Sequence, residues 1–170
     1  MLLITGGFSQ IRRGIRRHAA RNVEGREEIM KLLASYHGGT RFDIRSGKHR
    51  VVTDQPVADG GQDAGLSPVE LFVGSIASCV GYFVGKFCTR HDIPQEGLSV
   101  EAEWTMAENP HRVGHVDISI HLPHRLTPEL KERLLRVAHG CTVHQSLAQA
   151  PTVGIRFTPH IHRQPADSLA

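Results

Sequence analysis

Cysteine is scarce in this chain. Cys79, Cys88 and Cys141 stand at spacings of nine and 53. An odd number in no framework pattern argues against a disulfide-stapled secreted scaffold and for thiols kept for chemistry or packing in a reducing cytosol. A secretory signal pattern is also missing, since residues 1–8 run into arginines without a long apolar stretch. No Gly-x-Ser-x-Gly elbow argues for a serine hydrolase, and the Gly60-Gly61 loop lacks the Gly-Lys-Ser/Thr ending of a phosphate cradle. Repeats and low-complexity segments are absent. Most of the chain lacks a charge excess as well. The net charge of +3 resides in residues 1–30, where Arg12, Arg13, Arg16, Arg17, Arg21 and Arg26 face three glutamates. The remaining residues balance, which argues against a nucleic-acid-binding domain. Residues 1–30 are expected to be a poorly ordered Arg-rich extension; an organelle-targeting peptide or an upstream start site would look the same.

What the sequence has is one long, nearly uncharged run, Ser67 to Cys88. Ser67 suits a helix cap, Pro68 the first helical position, and Glu70 completes a capping box. Apolar residues lie on every side of this helix, and its length approaches a membrane span. Its serines, glycines and Arg90-His91-Asp92 ending favour a buried core helix without membrane association.

Around it, Glu27–Tyr36 has apolar positions at helical spacing. Arg41–Arg45 alternates, turns at Ser46-Gly47 and returns through His49–Val52 as a β-hairpin, and residues 54–66 form a glycine- and aspartate-rich loop. Leu98–Trp104 and Val116–Leu122 alternate as strands about a turn at Asn109-Pro110-His111. A helix starts at Thr127-Pro128 and ends at Gly140, a short one follows from Thr142 to Gln149, and Val153–Phe157 reads as a last strand. The order implies an α+β domain with an antiparallel sheet over residues 31–160 and a polar tail at 161–170.

At about 100° per residue, Cys79 and Cys88 point to opposite sides of one helix. Cys88 therefore reads as packing. Cys141 falls between two helices, where unsatisfied N–H groups favour a thiolate, with an N-cap or core cysteine as the alternative. Cys141-Thr-Val-His144 with His160-Ile-His162 could suggest zinc, but the spacing matches no established ligand pattern, so no metal is expected.

The motifs Ser46-Gly47-Lys48-His49, Asp54-Gln55-Pro56, Gly60-Gly61-x-Asp63-x-Gly65-x-Ser67-Pro68-x-Glu70-Leu71, Cys79 and Cys141-x-Val143-His144 together resemble the OsmC/Ohr family across residues 35–158. The resemblance implies an intertwined homodimer with the long helices at its centre and no cofactor. It further implies thiol-dependent reduction of organic hydroperoxides, with a cytoplasmic location. Cys79 would be the attacking cysteine and Cys141 the resolving one, regenerated by an external dithiol. The fold also admits a non-peroxidase dimer that binds a small apolar or electrophilic ligand. An arginine and a glutamate assist the thiol in the best-known members. Arg41 is the nearest positional match for the first, with Arg45 next, and His144 could tune Cys141. In the Ohr-like branch the glutamate follows the proline directly, where this chain has Val69. Glu70, nine residues before Cys79, faces away from it and reads better as a cap than as a catalyst.

Overall fold

The computed structural model describes residues 29–159. The chain forms two units, one ending at Gly65 and one beginning at Leu66. Among the described residues the first unit is a three-stranded antiparallel meander, β1 (Leu33–Tyr36), β2 (Phe42–Ser46) and β3 (His49–Thr53), in that order. The β2–β3 hairpin lies where the alternation placed it, and Gly47 takes the left-handed φ of 55° that its turn needs. The helix read over Glu27–Tyr36 is corrected. Its described part ends in β1, whose Ala34 faces Ile44 and whose Tyr36 faces Phe42 in the ladder. Tyr36 and Phe42 meet edge to face at 5.7 Å. An apolar pattern this short fits both periods, and pairing with β2 decides it.

The following loop is organised by one carboxylate. Asp54 is buried and accepts from Thr40 Oγ1 at 2.5 Å and from the backbone N–H groups of Gln55, Gln62 and Ala64 at 2.9–3.2 Å. These hydrogen bonds, Thr40 foremost, pull its carboxyl down to about 2. The loop closes so tightly that a Cβ on Gly61 would lie 1.8 Å from the Gln55 carbonyl oxygen.

In the second unit, helix α1 (Pro68–Arg90) begins with the full capping box. Ser67 N donates to Glu70 Oε2 at 2.7 Å, and Glu70 N donates to Ser67 Oγ at 3.2 Å. Strands β4 (Ser99–Glu108) and β5 (His111–His121) form a long antiparallel hairpin. Their register sets Val100 opposite Ile120 and Ala102 opposite Ile118, which builds the apolar face that packs on α1. Helices α2 (Pro128–His139) and α3 (Thr142–Ala148) follow, and α1 packs against both. The core comprises Val80, Val84, Phe87, Cys88, Leu134, Ala138 and Cys141. Each large apolar side chain buried there contributes about 1.5–3 kcal/mol.

α1 is long and apolar enough to cross a membrane, yet within this unit it serves as the central packing element. In the single chain α1 keeps an exposed side. Phe72, Ser78, Tyr82 and Lys86 are exposed along one broad side. The last strand is also corrected: residues 153–157 join no ladder among the described residues. Val153, Ile155 and Phe157 are 78%, 94% and 92% exposed. Alternation alone does not make a strand without a neighbour to take its hydrogen bonds.

Candidate functional site

The two cysteines set 62 residues apart in sequence meet in the second unit. Cys79 projects from the middle of α1 at the edge of its exposed side, partly buried and packed against the core to which Cys141 belongs. Cys88, half a revolution away, is fully buried, and burial pushes its thiol up. All three are free thiols.

Cys141 arrives from the other direction. Gly140 ends α2, and Cys141 becomes the N-cap of α3, its Sγ accepting the His144 backbone N–H at 3.3 Å. The side chain is completely buried. Helix-terminus electrostatics led to the expectation of a readily ionised thiol, and that is corrected. Burial is the largest influence and pushes the Cys141 thiol up, against the pull of the His144 and Val143 N–H groups. The neighbouring Cys79 adds to the rise. Loss of hydration outweighs the terminus of a seven-residue helix.

His144 touches the thiol with its backbone. Its ring turns the other way: Nδ1 lies 3.1 Å from the His139 carbonyl oxygen, so Nδ1 carries the hydrogen, and the two imidazoles meet at a 45° tilt with centroids 5.4 Å apart. Gln145 Nε2 donates to the same carbonyl at 2.8 Å. These two bonds tie α3 to the end of α2 and so fix the direction of Cys141. Glu70 is occupied by its cap, where the Ser67 N–H holds its carboxyl below the ordinary range. Arg41 belongs to the first unit, where Nη2 donates to the His37 carbonyl at 3.4 Å across its own turn. Arg45, in β2, reaches Asp43 at 3.8 Å, behind Arg50, which grips the same carboxylate at 2.7 Å. His160 and His162 of the zinc alternative lie outside the described residues. Among those described, no cluster of three metal-binding side chains forms.

Beside Ile76 and Val80, close to Cys79 in sequence, opens a groove of about 730 Å³. Its walls are mainly apolar, from Phe72 on α1, Val116 and Ile118 on β5 and Leu135 on α2, with Arg112, His115, His139 and His144 as polar members. Neither Cys79 nor Cys141 lines it. Sequence reasoning missed this groove, the His139–His144 pairing and the Asp54 hub. The motif Asp54-Gln55-Pro56 was the one local signal for the last of these.

Comparison with known proteins decides the family. The family model described as OsmC-like protein matches residues 60–156, more than half of the chain and inclusive of both cysteines at issue. The chain belongs to the OsmC-like family. No curated protein sequence matches it. Solved OsmC-like structures carry the same architecture. One is an osmotic stress induced and detoxification response protein from Psychrobacter arcticus, 26% identical, with a TM-score of 0.66 over 72% of this chain and 90% of that one. An OsmC-like protein from Mycoplasma pneumoniae is 17% identical, with a TM-score of 0.60 over 74% and 91%. The organic hydroperoxide resistance protein OsmC from Legionella pneumophila is 21% identical, with a TM-score of 0.54 over 71% and 90%. The α+β arrangement of an antiparallel sheet with a long helix is thus the OsmC-like fold.

Proposed function

We propose that this OsmC-like protein is a thiol-dependent peroxidase that reduces organic hydroperoxides to alcohols. The observation that carries the reading is the pairing of Cys79, partly accessible on α1, with the buried Cys141 beside it. The Cys79 thiolate attacks the terminal oxygen of the hydroperoxide, the O–O bond breaks, and the alkoxide leaves and is protonated to the alcohol. The resulting Cys79 sulfenic acid condenses with Cys141 to a disulfide and water. An external dithiol then restores both thiols by exchange. The description of the Legionella relative as an organic hydroperoxide resistance protein agrees with this chemistry. No metal or organic cofactor enters it, and the dithiol requirement suits a reducing cytoplasm.

A homodimer completes the proposal. The exposed Phe72 and Tyr82 of α1, and Val153, Ile155 and Phe157, which join no ladder among the described residues, are apolar surface of the kind a second copy covers. Intact mass after one equivalent of a bulky organic hydroperoxide tests the reaction. The expected product has lost two hydrogens, and peptide mapping finds a Cys79–Cys141 disulfide. Cys141→Ser is expected to stop at a sulfenic acid on Cys79, and a sulfenic acid on any other residue sinks the assignment of roles.

A second reading rests on the groove, which is apolar and stands apart from both sulfurs. An OsmC-like dimer that only binds a small apolar or electrophilic ligand would use that space. It predicts an unchanged mass after peroxide treatment.

A further inference from the structure

The groove beside Ile76 and Val80 lies wholly within the second unit, and the proposed peroxide chemistry leaves its polar wall unused. That wall begins with an irregularity in β5. A regular strand turns only alternate residues to one side. Here Arg112, Val113, Gly114, His115 and Val116 all line the groove. The cause is a register shift: Thr105 faces His115 and Met106 faces Val113, so Gly114 is the extra residue of a bulge. A side chain at that position would be crowded, since a Cβ would lie 3.0 Å from the Ala107 Cβ and 3.2 Å from the Ala107 nitrogen. The bulge thus brings an arginine to a groove whose other walls, among them Phe72, Ile76, Ile118, Leu135 and Leu147, are apolar.

The polar wall has one sign. Among the described residues no carboxylate lines the groove. Arg112 donates from Nη1 to the Val113 carbonyl oxygen at 3.1 Å and meets no carboxylate among the described residues. Its guanidinium keeps further N–H groups for a ligand. The other polar members, His115, His139 and His144, are neutral or cationic and never anionic. Asp117, two residues beyond His115, is engaged by His115 Nε2 at 2.9 Å.

A volume of about 730 Å³ falls within the range of roughly 300–1,000 Å³ that suits a small molecule. We infer that the groove binds a small amphipathic anion, an alkyl chain ending in one carboxylate, with Arg112 as the head-group anchor. The planar fork of a guanidinium matches a carboxylate bidentately. The chain then lies against Phe72, Ile76 and Leu135. This assignment rests on the ligand-binding reading of the groove and not on the cysteine pair.

The test uses three probes with one chain: octanoate, 1-octanol and octyltrimethylammonium. Each is titrated calorimetrically into the reduced full-length protein below its micellar concentration. Octanoate is expected to bind about fivefold more tightly than octanol, and the ammonium most weakly. Arg112→Gln should remove the preference, lowering octanoate affinity about fivefold and leaving octanol affinity unchanged. Arg112 is exposed on β5, so this variant is expected to keep the fold. Arg112→Lys, which keeps the charge without the fork, should retain part of the preference. A native protein that takes octanol as tightly as octanoate overturns the anion assignment while the ligand-binding reading stands. Equal octanoate binding by the native protein and Arg112→Gln overturns Arg112 as the anchor, and so does a parallel loss of octanoate and octanol in that variant. No binding of any probe, as when a second copy fills the groove, overturns this assignment and the ligand-binding reading together. Since the protein stays reduced and no peroxide is present, the peroxidase reading is untouched by every outcome.

Discussion

The three cysteines divide by exposure, and the division predicts their reactivity. Cys79 is partly accessible, whereas Cys88 and Cys141 are fully buried with thiols pushed up by burial. Brief alkylation of the native, reduced protein is therefore expected to label Cys79, with Cys88 and Cys141 labelled only after unfolding. Mass-resolved counting checks this, and rapid native labelling of Cys88 contradicts its place in the core. Glu70 makes the second residue-scale prediction. Its folded carboxyl lies below the unfolded value, so its support is full above the ordinary carboxylate range and fades as pH falls through the lower folded value. Glu70→Gln should lower Tm at neutral pH, lose that effect in acid, and leave peroxide-driven disulfide formation unchanged. Ser67→Ala removes the other half of the box and should cost about 1 kcal/mol in urea unfolding. A large loss of peroxide reactivity in Glu70→Gln, with the fold intact, would restore Glu70 as a catalyst.

At the scale of elements, the Asp54 loop behaves as one piece because a single carboxylate gathers four donors. With its folded value drawn down to about 2, the stabilisation is complete above the unfolded range and disappears as pH drops from about 4 toward 2. Asp54→Asn should be less stable than the native protein at pH 7 and indistinguishable from it near pH 2, by denaturant titration at both. Gly61→Ala should disturb the same loop, since the Gln55 carbonyl occupies the place of the new methyl group. These elements also show what can be read from sequence. Ser67, Pro68 and Glu70 announced α1 because a cap is local, and the β2–β3 and β4–β5 alternations are local too. β1 is not legible in the sequence because Leu33 and Tyr36 suit either period until β2 is beside them. Val153, Ile155 and Phe157 alternate, but no ladder forms within the described residues. The Cys79–Cys141 encounter spans 62 residues and no spacing rule reveals it; resemblance of motifs did. The ionisation of Cys141 escapes the sequence for a related reason: the helix terminus is visible there, and the burial that outweighs it is not.

The whole molecule adds a constraint that neither residues nor elements carry. α1 has a buried side made by Val73, Ile76, Val80, Val84 and Phe87, and on the other side Phe72 and Tyr82 remain 39% and 55% exposed. Cys79 sits at the border between the two. A second copy laid along this side would shield the Cys79 sulfur from bulk water and, in the proposed reaction, give the peroxide an apolar wall. Sedimentation is expected to return twice the chain mass of 18.8 kDa. Tyr82→Glu places a charge, three residues beyond Cys79, on the surface that the partner would desolvate. That variant should shift the protein toward monomer and slow peroxide-driven disulfide formation at low protein concentration, with partial recovery as concentration rises. Its own core is untouched, so far-ultraviolet circular dichroism should be unchanged. A native protein that sediments as a monomer and still closes the disulfide at full rate removes the partner from the site.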